Sequence, residues 1–225
     1  MPKTSRRNPV ASALLEASLV DPGHPSTRRV RKIVTPSGRR PRGNFPSRKS
    51  SAPAKYESLI EKMVLRVLEV APSVRKIVTQ PQVFEFHDAR GKRRYTPDVA
   101  VKTDLLDFFI EVKDDSFSSD PKTVRKMRGA AEHLRHEGLT LVFVLRSDVQ
   151  QNGLQDDLEI LFRNRPIRGR FRDDTDTTMW DPEKGTCPPP EIQQRWDNAK
   201  RACDELLHRV MRRDPDDLLP VVSNN

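Results

Sequence analysis

The segment Asp107–Val112 constrains the fold of this 225-residue chain more than any other. Its run Phe108-Phe109-Ile110 is apolar at consecutive positions, the pattern of a strand covered on both faces. A charged triplet, Glu111-Val112-Lys113, follows at once. Side chains alternate along a strand, so Glu111 and Lys113 project to one face and Val112 to the other. Charges are rare in buried strands unless they are paired. Thirteen residues upstream of Glu111 stands Asp98, in a Pro97-Asp98 pair at the end of another strand-like segment. If the two strands are neighbours, two carboxylates and one ammonium converge.

Periodicity places the other elements. Leu59, Ile60, Met63, Val64, Val67 and Leu68 recur at helical spacing and Pro72 closes the segment, which predicts a helix over about 56–70. Three strands are expected next: Gln82–His87, which meets a turn at Asp88–Gly91, then Arg93–Val101, then Asp107–Val112. Asp120 as N-cap and Pro121 in the first turn open a second helix. Its core face is Val124, Met127, Ala131 and Leu134, and Gly138 ends it. Leu139–Leu145 is almost continuously apolar and reads as a central strand. The order is α-β-β-β-α-β, an α/β class. Beyond Asp148 the pattern predicts a helix over Leu154–Phe162, a basic stretch over Arg163–Arg172, and a polar loop from Asp173 to Pro190. A last helix over about 191–212 carries Ile192, Trp196, Ala199, Cys203, Leu206, Val210 and Met211 on one stripe. That stripe must pack on the body or on a partner.

Charge divides the chain differently. The net charge is +9, yet residues 1–55 hold 13 Lys and Arg against two acids, Glu16 and Asp21, so they carry +11 and the rest −2. The same stretch holds eight of the 19 prolines. It cannot bury enough surface to offset chain entropy, which predicts a basic extended arm with one short docking helix near Ala11–Leu19. Three segments are therefore expected: an arm over 1–55, a core over 56–150 and a helical extension over 151–225. No apolar run reaches the length of a membrane helix, and no signal peptide is recognisable. Cys187 and Cys203 have no metal-ligand spacing, so a disulfide scaffold or structural zinc site is not expected and a reducing cytoplasm fits. An aromatic content of 6% counts against a single-strand-binding module.

The charged triplet and Pro-Asp pair suit one chemistry. Two carboxylates that leave room for several waters are how Mg²⁺ is usually held. A lysine beside them orients or deprotonates a water, or screens charge on a phosphate. Together they suit metal-assisted hydrolysis of a phosphodiester. The competing reading is a solvated strand edge bearing a surface ion pair. The preceding helix offers Glu57 and Glu61 one turn apart as a further carboxylate, and the pattern alone does not choose between them. Gln80 reads equally as a site residue or as a polar strand entry. His87 reads as a polar strand end, and His133 and His136 as a solvated helix face. Lys122, Arg125, Lys126 and Arg128 give the second helix a basic side, either solvated or touching a DNA backbone.

From about Val30 to Val144 the chain resembles the TnsA-like endonucleases, which cut the 5′ strands at transposon ends in heteromeric bacterial transposases. The stretches that carry the resemblance are Arg42-Gly43-Asn44-Phe45-Pro46-Ser47-Arg48-Lys49, Tyr56-Glu57-Ser58-Leu59-Ile60-Glu61 and Gln80-Pro81. Gly91-Lys92-Arg93-Arg94-Tyr95-Thr96-Pro97-Asp98 and Ile110-Glu111-Val112-Lys113 complete it. It implies a PD-(D/E)xK restriction-endonuclease-like core, a mixed sheet flanked by helices. It assigns Glu61 as the helix carboxylate, Asp98 and Glu111 as metal ligands with Glu61, and Lys113 as the catalytic lysine. The implied cofactor is Mg²⁺, with Mn²⁺ substituting. The implied partners are double-stranded DNA, a DDE-type transposase and an AAA+ ATPase regulator, in a bacterial cytoplasm. In the arm, Arg39, Arg40, Arg42, Arg48 and Lys49 are expected to reach DNA phosphates. The alternatives are a stand-alone restriction or repair nuclease on the same core, and a catalytically silent DNA-binding adaptor. The intact set Glu61, Asp98, Glu111 and Lys113 argues against the adaptor.

Overall fold

A computed structural model describes Glu16, residues 41–88 and 91–165, Trp180, and residues 187–219. Its centre is a four-stranded mixed sheet in the order β3 (Val74–Thr79), β6 (Val99–Thr103), β7 (Asp107–Lys113), β8 (Leu141–Leu145). The β3–β6 and β6–β7 pairs are antiparallel, and β7–β8 is parallel. A parallel pair needs a long crossover, which α2 (Pro121–His136) supplies between β7 and β8. Two-residue alternation sends each strand's side chains to two cores. On one side, Ile77, Val101, Phe108, Ile110, Val112 and Val144 pack against α1 (Leu59–Val70) and α5 (Pro190–Arg212). On the other, Val78, Ala100, Phe109 and Phe143 meet Val124, Met127 and Leu134 of α2.

The helix ends follow local chemistry. Ser58 caps α1 by accepting the Glu61 N–H at 3.1 Å, and Glu61 returns its carboxylate to the same end. Asp120 caps α2 by accepting from Lys122 and Thr123, with Pro121 behind it as expected. Gly138 follows that helix at φ +73°, a backbone state that favours glycine.

The α-β-β-β-α-β order stands within the mixed sheet flanked by helices, but its strands are assigned differently. Val74–Thr79 is the first sheet strand, and periodicity passed over it because a bulge between Val74 and Lys76 interrupts its alternation. The expected strand Gln82–His87 becomes β4 (Phe84–Asp88), and Arg93–Val101 splits into β5 (Gly91–Tyr95) and β6. The break falls at Pro97, which has no N–H to give to a ladder. β4 and β5 form a hairpin of their own, outside the four-stranded sheet, with Phe84, Phe86 and Tyr95 turned into the core beside α2.

Folded structure also begins before residue 56. β1 (Gly43–Phe45) and β2 (Ala54–Tyr56) pair antiparallel, and Phe45 and Ala54 are buried in the first core. The segment lies along β3, where the Ile77 N–H donates to the Lys49 carbonyl at 2.8 Å. An otherwise bare sheet edge is thereby covered. At the other end of the chain, α3 (Arg146–Val149) and α4 (Leu154–Asn164) lead to α5. The apolar stripe of α5 packs on the body, sharing one core with the sheet and α1. Arg213 then pairs with buried Asp148 at 2.6 Å, and α6 (Pro215–Leu218) brings Leu219 into the second core. Among the described residues no helix is long and apolar enough to cross a membrane.

Candidate active site

Strand parity determines the site. Phe109, Glu111 and Lys113 share the face of β7 that looks toward α2, and Asp98, two residues before Ala100, has the same parity at the start of the neighbouring strand. The backbone closes the gap between them: the Asp98 N–H donates to the Ile110 carbonyl at 3.0 Å, and the Val112 N–H donates to Asp98 Oδ2 at 2.7 Å. Lys113 Nζ donates to Glu111 Oε1. The other carboxylate oxygen, Oε2, accepts from the phenol of Tyr95 at 2.7 Å. Asp98, Glu111 and Lys113 therefore come together as expected.

The electrostatics are those of a site short of positive charge. Burial first, and the neighbouring Glu111 second, push the Asp98 carboxyl well above its usual range, and Glu61 adds to the rise. Burial draws the Lys113 ammonium down, but Glu111, then Asp98 and Glu61, outweigh it and leave the group raised. One lysine faces three mutually repelling carboxylates.

Glu61 also closes its own helix. Its Oε2 accepts from the Glu57 N–H at 2.7 Å and its Oε1 from the Ser58 hydroxyl at 2.9 Å, so the carboxylate lies on its own helix end. It adds charge to the cluster while its oxygens are engaged in capping. Burial raises its pKa despite those bonds. Glu57 accepts from Gln80 Nε2 at 2.9 Å, and the Gln80 N–H donates to the Asp98 carbonyl at 2.8 Å. Gln80 holds φ +50° without being glycine, a conformation that costs about 1–3 kcal/mol and tends to gather at functional sites.

The expected DNA-contacting residues divide. Arg42 is exposed and Arg48 half-buried at the β1–β2 hairpin, while Lys122 and Lys126 are exposed and Arg125 half-buried on α2. Arg39 and Arg40 lie outside the described residues. Lys49 is a correction: it is 6% exposed, and its ammonium donates to the carbonyls of Leu68 and Ala71 at the end of α1, at 2.9 and 2.5 Å. Arg128 points inward to the Leu219 carbonyl. His133 is also not a solvated helix residue, since its ring stacks on Phe86 at 5.7 Å. Tyr95 was missed because a lone tyrosine ending a charged strand looks like any core aromatic. The usable signal was that a buried phenol needs a partner, and Asp98 stands three residues on.

Among the described residues no three or more His, Cys, Asp and Glu side chains are gathered as a metal-binding group. The donor chemistry nevertheless fits a hard divalent ion, which takes one or two carboxylates and completes its shell with water. A cavity of about 150 Å³ between α4 and α5, lined by Asp148, Asp157, Asn198 and Arg209, shares no residue with this cluster. The carboxylates are the better candidate, because burial and mutual repulsion perturb Asp98 and Glu61 there. The sequence matches no protein-family model, and no curated protein matches it.

Proposed function

We propose that this chain is a metal-dependent endonuclease that hydrolyses phosphodiester bonds in double-stranded DNA, cutting the 5′ strand at transposon ends within a multi-subunit transposase. The observation that carries the chemistry is the convergence of Asp98, just before β6, with Glu111 and Lys113 of β7. Asp98 and Glu111 would hold Mg²⁺ or Mn²⁺. When bound, such an ion supplies Lewis acidity toward the phosphate and the attacking water. The remaining work falls to the chain's own groups. The Val112 N–H and the Tyr95 phenol fix the two carboxylates, so little reorganisation is needed. Lys113 orients the water and offsets charge gathering on the phosphate. Water adds at phosphorus and the P–O3′ bond breaks, leaving a 3′-hydroxyl and a 5′-phosphate.

The transposition setting is supported by the resemblance along Arg42–Lys49, Tyr56–Glu61, Gln80-Pro81, Gly91–Asp98 and Ile110–Lys113. A DDE-type transposase would cut the other strand, and an AAA+ ATPase would regulate the assembly. The test is to incubate the full chain with transposon-end duplex and Mg²⁺, with and without such a transposase, and to map the ends. Mg²⁺-dependent 5′-strand cuts bearing 5′-phosphates are expected, enhanced by the partner. Robust cutting in excess chelator would sink the metal chemistry. Vigorous, partner-independent cutting at unrelated sites would favour a stand-alone nuclease.

A further inference from the structure

We infer that Tyr95 is a positioning residue for Glu111, a neutral donor that fixes the plane of this carboxylate for a divalent cation. The inference rests on the reading of Asp98 and Glu111 as cation ligands. Each Glu111 oxygen has one donor: Lys113 on Oε1 and Tyr95 on Oε2. A carboxylate oxygen has two lone-pair directions, so one donor on each leaves one direction open on each and stops the group turning.

The two donors are not equivalent. Lys113 brings a positive charge that repels an incoming cation and cancels part of the negative potential that attracts it. The phenol of Tyr95 orients Glu111 without neutralising it. It is fully enclosed, 2% exposed, and directs its one proton at Glu111 Oε2. Outer donors of this kind hold metal-ligating carboxylates in register.

The ring is fixed by packing that does not involve Glu111. Tyr95 stands opposite Phe84 in the β4–β5 register, and Phe84 meets Phe109 edge-on at 5.4 Å. Only Thr96 and Pro97 separate Tyr95 from Asp98, with proline restricting the path. One short segment therefore supplies both the partner carboxylate and the donor that aims Glu111.

The test uses the full-length chain without DNA and reads Mn²⁺ affinity by electron paramagnetic resonance, with Mg²⁺-dependent cleavage and a thermal melt alongside. Tyr95→Phe keeps the ring and removes the donor. Loss of such an outer donor weakens metal binding by about 10–100-fold, so the Mn²⁺ affinity should fall by that factor and the Mg²⁺ needed for half-maximal cleavage should rise with it. Leu158→Ala, in the first core on the other side of the sheet, is the packing control: it should lower the melting temperature and leave Mn²⁺ affinity within about twofold, since it removes apolar packing far from Tyr95 and no donor. Equal Mn²⁺ affinity in Tyr95→Phe and wild type overturns the inference alone. A loss in Leu158→Ala as large as in Tyr95→Phe also overturns it, because general loosening of the fold would then be the cause. A wild-type chain that binds no Mn²⁺ overturns the cation reading and this inference together.

Discussion

Two lysines, Lys49 buried and Lys113 half-buried, have opposite electrostatic surroundings. Lys113 sits among Asp98, Glu111 and Glu61, and those acids lift its pKa in spite of burial. Lys49 sits at the end of α1, where burial draws its pKa down to about 8 although Glu69 and Asp204 oppose the shift. The acid that opposes it most is already satisfied, since Glu69 accepts from the Ser47 hydroxyl at 2.6 Å and the Arg48 N–H at 2.7 Å. The Lys49 ammonium is held by carbonyls, an arrangement that closes a helix end. Around Lys113 three carboxylates meet one ammonium, an imbalance that a proton on Asp98 or an added cation would offset. A lysine whose partners are complete builds the fold, whereas one among surplus carboxylates marks the candidate site.

The strongest way to break that contrast is Asp98→Asn. The amide oxygen still accepts from the Val112 N–H, so the backbone link survives while the charge disappears. Cleavage should fall to background. Without added metal the variant should melt higher than wild type, because Asp98 and Glu111 no longer repel. Each kcal/mol of repulsion removed raises the melting temperature by about 2–4 °C in a chain of this size. The sign follows from the raised Asp98 pKa: the wild type loses stability as pH rises from the unfolded carboxyl range through the folded value, and the variant lacks that decline. A variant that melts lower across this pH range, or still cuts, would show that the carboxylates are not in surplus.

The second test separates the arm from the fold at the segment that holds Lys49. Residues 1–40 contain nine of the 13 basic residues before Tyr56. Removing them should weaken duplex binding and flatten the dependence of log K on log salt, by about 0.9 for each phosphate no longer neutralised. The melting temperature should stay near that of wild type. Removing 1–55 instead takes out Phe45, Ala54 and Lys49 and uncovers the β3 edge, so a much lower melting temperature is expected. Equal melting temperatures for the two truncations would mean that 41–55 is a tail and that Lys49 has no structural part. An unchanged salt slope after removal of 1–40 would move DNA binding to α2 with Lys122, Arg125 and Lys126.

What was legible in the sequence follows the same division. Alternation along a strand is a local property, so the shared face of Glu111 and Lys113 and the nearness of Asp98 could be read from the sequence. The helix and strand order could be read too, because α1, α2, β7 and β8 each carry a strong periodic signal. Val74–Thr79 could not, since its bulge breaks the alternation on which such reading depends. Whether a charge is satisfied depends on long-range contacts. Lys49 stands in a basic, proline-containing stretch, and nothing local shows that the carbonyls of Leu68 and Ala71 receive it. Glu61 likewise reads as a site carboxylate or an ordinary helix acid, and nothing local shows that its oxygens receive the Glu57 N–H and the Ser58 hydroxyl.

The smallest expected effect is also the most specific to Lys49. Its folded pKa of about 8 lies below the ordinary 10.5, so three pH ranges follow. Below about pH 8 both folded and unfolded chains carry the proton, and the native state bears the full penalty of the buried charge. Between about 8 and 10.5 the native chain gives up its proton while the unfolded chain keeps it, so the unfolded state binds more protons and stability rises with pH. Above 10.5 the contribution is flat. At about 1.4 kcal/mol per unit the gain is at most about 3 kcal/mol, and less to the extent that the two carbonyls favour the charged form. Lys113, whose pKa is raised, adds nothing of this sign in that window. In Lys49→Met the rise should vanish, and the unpartnered carbonyls should cost about 1–3 kcal/mol at neutral pH. Mg²⁺-dependent cleavage per folded molecule should stay as in wild type. Urea unfolding of both chains between about pH 7 and 10 measures the difference in slope, and equal slopes would assign the buried charge to another group.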